Sequence, residues 1–230
     1  MADFLKQSLF WGCLLSLVSY WIGARLRARF HSGIFNPLLI AIILTVGFLA
    51  VCRIDFQTYY GSAKYLSYLL TPSTVCLAIP LYEQLQKLKD NWKAIAAGVV
   101  SGVLTSMTLV LACAFLFHLS HEEYVTLLPR SITTAIGIDI SSEYGGMQAL
   151  TAIVIILTGV MGNVVSDLVF RLFRIDEPVA RGVALGTSAH AVGTSRAMEY
   201  GEVEGAMGSL SIVTAGLLTV ALSSVYVKFL

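Results

Sequence analysis

Residues 179–196 read Val179-Ala-Arg-Gly-Val-Ala-Leu-Gly-Thr-Ser-Ala-His-Ala-Val-Gly-Thr-Ser-Arg196, an apolar run interrupted at its centre by hydroxyls and glycines. A second interrupted run is Tyr65-Leu-Ser-Tyr-Leu-Leu-Thr-Pro-Ser-Thr-Val-Cys-Leu-Ala-Ile-Pro-Leu-Tyr82, which contains two prolines. Ser73 and Ser188 are 115 positions apart, half of the 230-residue length. Hydrocarbon tolerates unwound backbone only where protein or a water-filled cavity satisfies its polar groups. Paired interruptions of this kind are typical of the central site of a transporter.

The composition predicts a polytopic membrane protein. Apolar residues make up 57% of the chain and the mean hydropathy is +0.78. Charged residues make up 13%, against about a quarter in soluble domains. The four cysteines lie in or beside apolar runs without metal-ligand spacing, so they are interpreted as packing residues. A net charge of +1 without a basic patch gives no indication of nucleic-acid binding.

Seven apolar runs provide the roughly 20 residues that a helix needs to cross a bilayer. They are 7–23, 36–52, 63–84, 93–117, 147–170, 179–198 and 204–228. An eighth element, residues 124–141, contains Pro129, Arg130 and Asp139. We expect this element to enter the membrane and return to the same side.

The Lys and Arg residues predict the orientation, because they are enriched in cytoplasmic loops. Basic residues cluster in the loops at 24–29 and 171–181, which we therefore expect inside. The loop at 118–123 has no Lys or Arg and the loop at 199–204 is acidic, so both are expected outside. These charges predict a multi-pass membrane protein with its N-terminus outside and its C-terminus inside.

The same offset of 115 residues predicts internal symmetry. When the sequence is shifted by 115 residues, the apolar runs of the first half align with those of the second half. In the predicted topology the two sets cross the membrane in opposite directions. The expected fold is therefore all-α, with about seven transmembrane helices plus a re-entrant element. It forms one transmembrane domain, residues 1–230, of two inverted repeats with crossed broken helices, roughly 1–115 and 116–230.

The two interruptions predict an anion site at the middle of the membrane. Each break exposes backbone N–H groups at the start of a half-helix, where partial positive charge favours a carboxylate or phosphate. The alternative is a pair of kinked helices that only pack against each other. The hydroxyls expected to bind substrate are Thr71, Ser73, Thr74, Thr187, Ser188 and Thr194.

Arg130 lies in the re-entrant element together with Ser131, Thr133 and Thr134. A guanidinium can hold a carboxylate by two parallel hydrogen bonds, so we expect these four residues to contact substrate. The alternative for Arg130 is a structural pairing with Asp139 or a lipid headgroup.

Two interpretations are open for each of His190 and Arg196. His190 is expected among the substrate-binding residues, where it could titrate and couple proton movement to transport. The alternative is a hydrogen-bonded structural residue. Arg196 could act as a gate or simply pair with Glu199 at the surface.

No motif indicates an enzyme. A hydrolase elbow, a zinc-protease motif, a phosphate-binding loop and a dinucleotide fingerprint are all missing from the sequence. No metal site and no cofactor are expected. The spacings Gly98-x-x-x-Gly102, Gly182-x-x-x-Gly186 and Gly201-x-x-x-Gly205 favour close helix packing.

A family resemblance covers nearly the whole chain. It rests on Asn36-Pro-Leu-Leu39, Ala78-Ile-Pro-Leu-Tyr-Glu-Gln84, Leu128-Pro-Arg-Ser-Ile-Thr-Thr134, Ala180-Arg-Gly-Val-Ala-Leu-Gly-Thr187, His190-Ala-Val-Gly-Thr194 and Glu204-Gly-Ala206. Together these strings resemble the LrgB/CidB family, whose members are described as antiholin-like modulators of murein hydrolases and autolysis, and as carriers of small carboxylates. The plastid glycolate/glycerate translocator is similar to this family. The resemblance implies the bacterial cytoplasmic (inner) membrane as the location and a small LrgA/CidA-like membrane protein as partner.

The sequence therefore favours a carrier for small monocarboxylates such as pyruvate, glycolate or glycerate. Alternating access, with or without proton coupling, is the hypothesised mechanism. The alternative is a non-transporting, holin/antiholin-like regulator of cell-wall hydrolysis. The expected partners are the substrate, the lipid bilayer and the LrgA-like protein, and homo-oligomers remain an open alternative.

Overall fold

A computed structural model describes residues 8, 10–30 and 36–230, except the side chains of Leu70 and Thr74. Over these residues the chain forms helices and turns, without a β-strand. Four helical stretches of the described chain are long and apolar enough to cross a membrane: Phe56–Glu83, Leu85–Phe117, Gln148–Leu172 and Glu202–Phe229. The predicted class, an all-α polytopic membrane protein, is confirmed.

The first of two compact units ends at Cys76. Its helices are α1 (Trp11–Phe30), α2 (Pro37–Val51), α3 (Phe56–Ala63), a 3-10 helix (Lys64–Leu69) and α4 (Leu70–Cys76). Asn36 begins α2, because its Oδ1 accepts hydrogen bonds from the backbone N–H groups of Leu38 at 2.8 Å and Leu39 at 3.2 Å. Residues 7 and 9 of the predicted first run lie outside the described residues.

The second unit comprises Leu77–Leu230. Its helices are α5 (Ala78–Glu83), α6 (Leu85–Phe117), α7 (His121–Leu127), α8 (Thr134–Glu143), α9 (Gln148–Leu172), α10 (Pro178–Tyr200), α11 (Glu202–Tyr226) and a 3-10 helix (Val227–Phe229). The predicted interruption of residues 65–82 is present, since this run is divided among the first 3-10 helix, α4 and α5.

The ends of α6 define two ends of this unit. We name the end near Leu85 end A and the end near Phe117 end B. Five buried residues of α6 recur at helical spacing and form one wall of the core: Ile95, Val99, Val103, Met107 and Val110. They pack in one cluster with α11 residues such as Met207 and Ala215.

Residues 121–143 form a helical hairpin, named hairpin I, which enters from end B. The Oγ1 of Thr151, in the first turn of α9, lies 3.0 Å from the carbonyl oxygen of Thr126 and 2.7 Å from the Oγ of Ser141. Both arms of the hairpin therefore meet at one point near end B. Its tip is held against Ser106, which lies 11 residues, or about 17 Å, before the end of α6. Hairpin I is thus the predicted re-entrant element.

Helix α10 is a second hairpin, named hairpin II, which enters from end A. The helical backbone breaks at Ala189 (φ −130°) and His190 (φ 42°, ψ −132°). The guanidinium carbon of Arg181 lies 5.8 Å from the ring centre of Tyr200. In a straight helix these residues would be separated by about 28 Å along the axis. The second arm therefore folds back onto the first.

The glycine contacts of hairpin II agree with this turn. A Cβ on Gly182 would lie 2.9 Å from the Cα of Glu204, in the first turn of α11. A Cβ on Gly186 would lie 2.8 Å from the Cα of Gly208, one turn further along α11. The first arm and α11 thus run side by side in the same direction from end A.

Three predictions about topology are wrong for this reason. Residues 179–198 were expected to cross the membrane, and the loop at 199–204 was expected opposite the loop at 171–181. Both loops lie at end A, because hairpin II returns there. Helix α11 then carries the chain to end B, where the hydroxyl of Tyr124 donates to the carbonyl oxygen of Tyr226 at 3.0 Å. The C-terminus therefore lies opposite the 171–181 loop, not beside it.

The second unit contains an inverted pair of elements. Hairpin I followed by α9 enters from end B, and hairpin II followed by α11 enters from end A. The two hairpins meet at Ile155 of α9: its carbonyl oxygen bonds the His190 ring, and a Cβ on Gly137 would touch its side chain. The division of the whole chain into halves at residue 115 stays a prediction.

Candidate functional site

A cavity of about 970 Å³ lies within the second unit. It is lined by α6, α9, the first arm of hairpin II and the tip of hairpin I. Asn91 and Glu177 lie at its mouth near end A, whereas Ser106, Arg130 and Ser131 lie at its inner end near the middle of the unit. The cavity therefore extends from end A to the tip of hairpin I.

Helix α6 contributes a stripe of small and hydroxylated residues to the cavity. They recur three and four positions apart and so share one helix face: Gly98, Ser101, Gly102, Thr105 and Ser106. This stripe was not predicted as part of the site, and its glycines were interpreted as packing residues. The sequence feature that identifies the stripe is the helical spacing of its polar residues inside an otherwise apolar span.

The packing interpretation of Gly98 and Gly102 is also correct. A Cβ on Gly98 would lie 2.9 Å from Cγ1 of Val183, and one on Gly102 would lie 2.6 Å from Cγ2 of Thr187. Small residues on α6 thus let hairpin II approach closely. This approach brings Thr187 to the wall of the cavity.

Arg130 lies in the turn between the arms of hairpin I and is half-buried. No carboxylate of the described residues lies within ion-pairing distance of its guanidinium, and Asp139 is exposed. The alternative pairing of Arg130 with Asp139 is therefore wrong. The neighbouring Ser131 Oγ accepts a hydrogen bond of 3.1 Å from the Oγ of Ser106, which holds the tip against α6.

Thr187 and Ser188 line the cavity as well, and they differ in their hydrogen bonds. The Ser188 hydroxyl donates to the carbonyl oxygen of Ala184 at 2.6 Å. Thr187 is only 4% exposed, and its Oγ1 has no partner among the described residues. A buried hydroxyl without a partner costs free energy, and a ligand that reached this atom would relieve that cost.

Two half-helices begin at the depth of the hairpin tips. Helix α8 begins at Thr134, and the side chain of the preceding Thr133 makes no capping bond. Both threonines are half-buried and lie outside the lining of the cavity. The second arm of hairpin II begins after His190. Helix N-termini carry unpaired N–H donors and partial positive charge. A half-helix start of this kind was predicted for the interruption in residues 179–196.

His190 fixes the tip of hairpin II to α9. Its Nε2 lies 2.9 Å from the carbonyl oxygen of Ile155, and because a carbonyl can only accept, Nε2 carries a proton. Gly159 leaves room for the ring, since a Cβ there would lie 2.7 Å from Nε2. These contacts support the structural interpretation of His190.

The other predicted site residues lie away from the cavity lining. Thr194 is fully buried against Gly208, and its Oγ1 has no partner among the described residues. Thr71, Ser73 and Thr74 belong to α4 in the first unit. Thr71 is exposed, the Ser73 hydroxyl donates to the carbonyl oxygen of Leu69 at 2.6 Å, and the side chain of Thr74 is outside the description.

A polar cluster fastens the second arm of hairpin II to α9. Nη2 of Arg196 lies 2.8 Å from each carboxylate oxygen of Asp167, and Nη1 of Arg196 bonds Glu199. The hydroxyl of Tyr200 also donates to Asp167. The sequence indicated the pairing with Glu199 but gave no signal for Asp167, which is 29 positions away from Arg196.

The arrangement suits an anion with one charged group. The inner end of the cavity offers a guanidinium without a carboxylate partner in the described part of the chain, beside hydroxyls, whereas the mouth carries the carboxylate of Glu177. A guanidinium can bind a carboxylate by two parallel charge-assisted hydrogen bonds. A second negative charge at the mouth would meet the like charge of Glu177.

Comparisons with known proteins agree with this membrane architecture. The LrgB-like family matches residues 16–229. The antiholin-like protein LrgB of Bacillus mycoides (strain KBAB4) is 35% identical over 223 residues, which are 96% of this chain and 96% of that protein. The antiholin-like proteins LrgB of Bacillus cereus (strain B4264) and Bacillus anthracis (strain CDC 684 / NRRL 3495) match with the same figures. No solved structure matches. With this coverage and identity, the chain belongs to the LrgB-like family.

Proposed function

We propose that this protein is a membrane carrier for monocarboxylates. The observation that carries the proposal is the guanidinium of Arg130, which has no carboxylate partner among the described residues and lies at the inner end of a cavity, at the depth of two hairpin tips. An ionisable side chain inside a membrane is costly, so an Arg without a carboxylate partner favours an anionic ligand. Thr187 and Ser131 would bind the remaining oxygen atoms of the ligand.

Alternating access is the mechanism that this geometry supports. Hairpins that enter from opposite ends could open the central site to each side in turn, as in other carriers with inverted elements. The cavity opens toward end A, so the described arrangement corresponds to access from that end. Proton coupling through His190 would require its bond to Ile155 to break.

The Lys and Arg residues support a cytoplasmic position for end A. They occur there in the loop at 171–181 and at the start of α6, as Lys87 and Lys89. With end A inside, the loop at 118–123 faces out, and so does the C-terminus. We also propose that the N-terminus lies outside. The chain would then consist of two repeat halves, roughly residues 1–115 and 116–230.

A second candidate function is regulation of murein hydrolases without transport. It is favoured by the name of the relatives, antiholin-like protein LrgB. Under both functions we propose an LrgA-like membrane protein as partner. A regulator needs no carboxylate in the cavity, which separates the two functions experimentally.

Reconstitution tests the carrier. The purified chain, alone and together with an LrgA-like protein, would be placed in vesicles and assayed for uptake of labelled pyruvate, lactate and glycolate. We expect saturable uptake that Thr187→Val weakens, because this change removes a hydroxyl while nearly keeping side-chain volume. Millimolar pyruvate should also raise the melting temperature of the purified protein, and chloride should not. If neither effect occurs with or without the partner, the regulator is correct.

A further inference from the structure

We infer that the cavity takes monocarboxylates with an apolar tail of four or more carbons, bound with the carboxylate at Arg130 and the tail toward end A. This inference rests on the proposed carrier function and names its substrate class. It concerns which acids the site binds best, and three features of the cavity carry it.

The first feature is size. At about 970 Å³ the cavity lies at the upper limit of pockets that enclose drug-sized ligands, which are roughly 300–1,000 Å³. It follows α6 from Ser106 to Asn91, which is 15 residues, or about 22 Å at 1.5 Å per residue. A two- or three-carbon acid held by Arg130 would leave most of this length unfilled.

The second feature is the distribution of polar groups. The cation and the unpartnered Thr187 hydroxyl lie in the inner part of the cavity. Toward end A, the walls from α9 and hairpin II are mainly apolar and include Leu157, Met161, Val165, Val179 and Val183, whereas α6 contributes Ser101 and, near the mouth, Asn91. Burial of a methylene against such walls is favourable by about 0.8 kcal/mol, or about fourfold in affinity.

The third feature is the carboxylate of Glu177 at the mouth. An acid with a second carboxylate at its far end would bring that group toward Glu177, where like charges repel. An uncharged apolar tail avoids this repulsion. The cavity thus selects for one charge and an apolar remainder.

The experiment measures binding of propionate, hexanoate and octanoate to the purified full-length protein in lipid nanodiscs by titration calorimetry. Partitioning of the tail into lipid is subtracted with empty nanodiscs, and 1-octanol tests whether the tail binds without a carboxylate. Because part of the cavity stays open, we expect affinity to rise two- to fourfold per methylene. Octanoate should then bind about 30-fold or more tightly than propionate, and 1-octanol should bind weakly.

Ala184→Phe tests the position of the tail. Ala184 lines the cavity one helical turn closer to end A than Ser188, so a phenyl ring there should block the tail. Octanoate should bind Ala184→Phe about as weakly as propionate binds the wild type, and an unchanged circular dichroism spectrum should report a folded protein. The matched control is Ala221→Phe, at an exposed position of α11 outside the cavity lining, which should leave both affinities unchanged.

The outcomes distinguish this inference from the proposed function. If propionate binds and affinity is flat or falls with chain length, the inference is overturned while the carrier function stands. If Ala184→Phe keeps the full preference for octanoate, the position of the tail is overturned. If no acid of any length binds, the proposed function itself fails, and the inference fails with it.

Discussion

The return of hairpin II to end A predicts a short distance between residues that are far apart in sequence. Spin labels at Ala180→Cys and Glu202→Cys would measure it, with the four native cysteines replaced by serine. Both positions are exposed, and each lies two residues before the Gly182–Glu204 contact. Packed helix axes are about 8–10 Å apart, so the labels should be about 10–20 Å apart. A straight helix over the same 22 residues would separate them by about 33 Å.

The matched control for this measurement is Glu202→Cys with Ser224→Cys, both exposed. This pair has the same 22-residue separation but lies on one uninterrupted helix, α11. Its labels should be about 33 Å apart. Pulsed electron paramagnetic resonance in lipid nanodiscs resolves the two values. Equal long distances for both pairs would refute the hairpin and return residues 179–198 to a membrane crossing.

The remaining predictions concern single side chains. Arg130→Ala should weaken carboxylate binding by about 1.5–3 kcal/mol, roughly tenfold or more, and Arg130→Lys should retain part of it, as measured by titration calorimetry. Asp167→Leu should lower unfolding free energy by about 1–3 kcal/mol in detergent, because it leaves Arg196 with one carboxylate, and adding Arg196→Met should recover part of the loss. The backbone N–H of Ser120 lowers the pKa of the Glu123 carboxyl from 4.5. Its contribution to stability should therefore be complete above pH 4.5 and lost as pH falls through the lowered pKa. Glu123→Gln should flatten this acid dependence in thermal unfolding.

The sequence predicted the position of the break in hairpin II but not the direction of the chain after it. Gly186, Thr187 and Thr194 bracket the observed break at Ala189 and His190. Hydropathy depends on composition and length, so an apolar run of about 20 residues is compatible with one crossing or with two short arms. The deciding contacts involve Asp167 and Glu204, which are distant in sequence and carry no local signal.

The residues at the inner end of the cavity were partly predictable from the sequence. Arg130 stood out because a charge inside an apolar region is costly, and the proline before it indicated a turn. Ser106 and the rest of its helix face were missed, because small and hydroxylated residues are also common where membrane helices pack together. Only the position of hairpin I opposite this face distinguishes a cavity wall from a packing surface.

The polar composition of hairpin II has a consequence for biogenesis. Residues 178–200 are absent from the stretches of the described chain that are apolar enough to cross a membrane, and their arms pack on glycines of α6, α9 and α11. Such a segment gains little by partitioning alone into lipid, where its hydroxyls and Arg196 would be unsatisfied. The flanking helices must therefore be inserted before hairpin II can enter between them. Its insertion is a late, tertiary step of assembly, and variants that loosen α11 should leave these residues on the end A side of the membrane, exposed to protease.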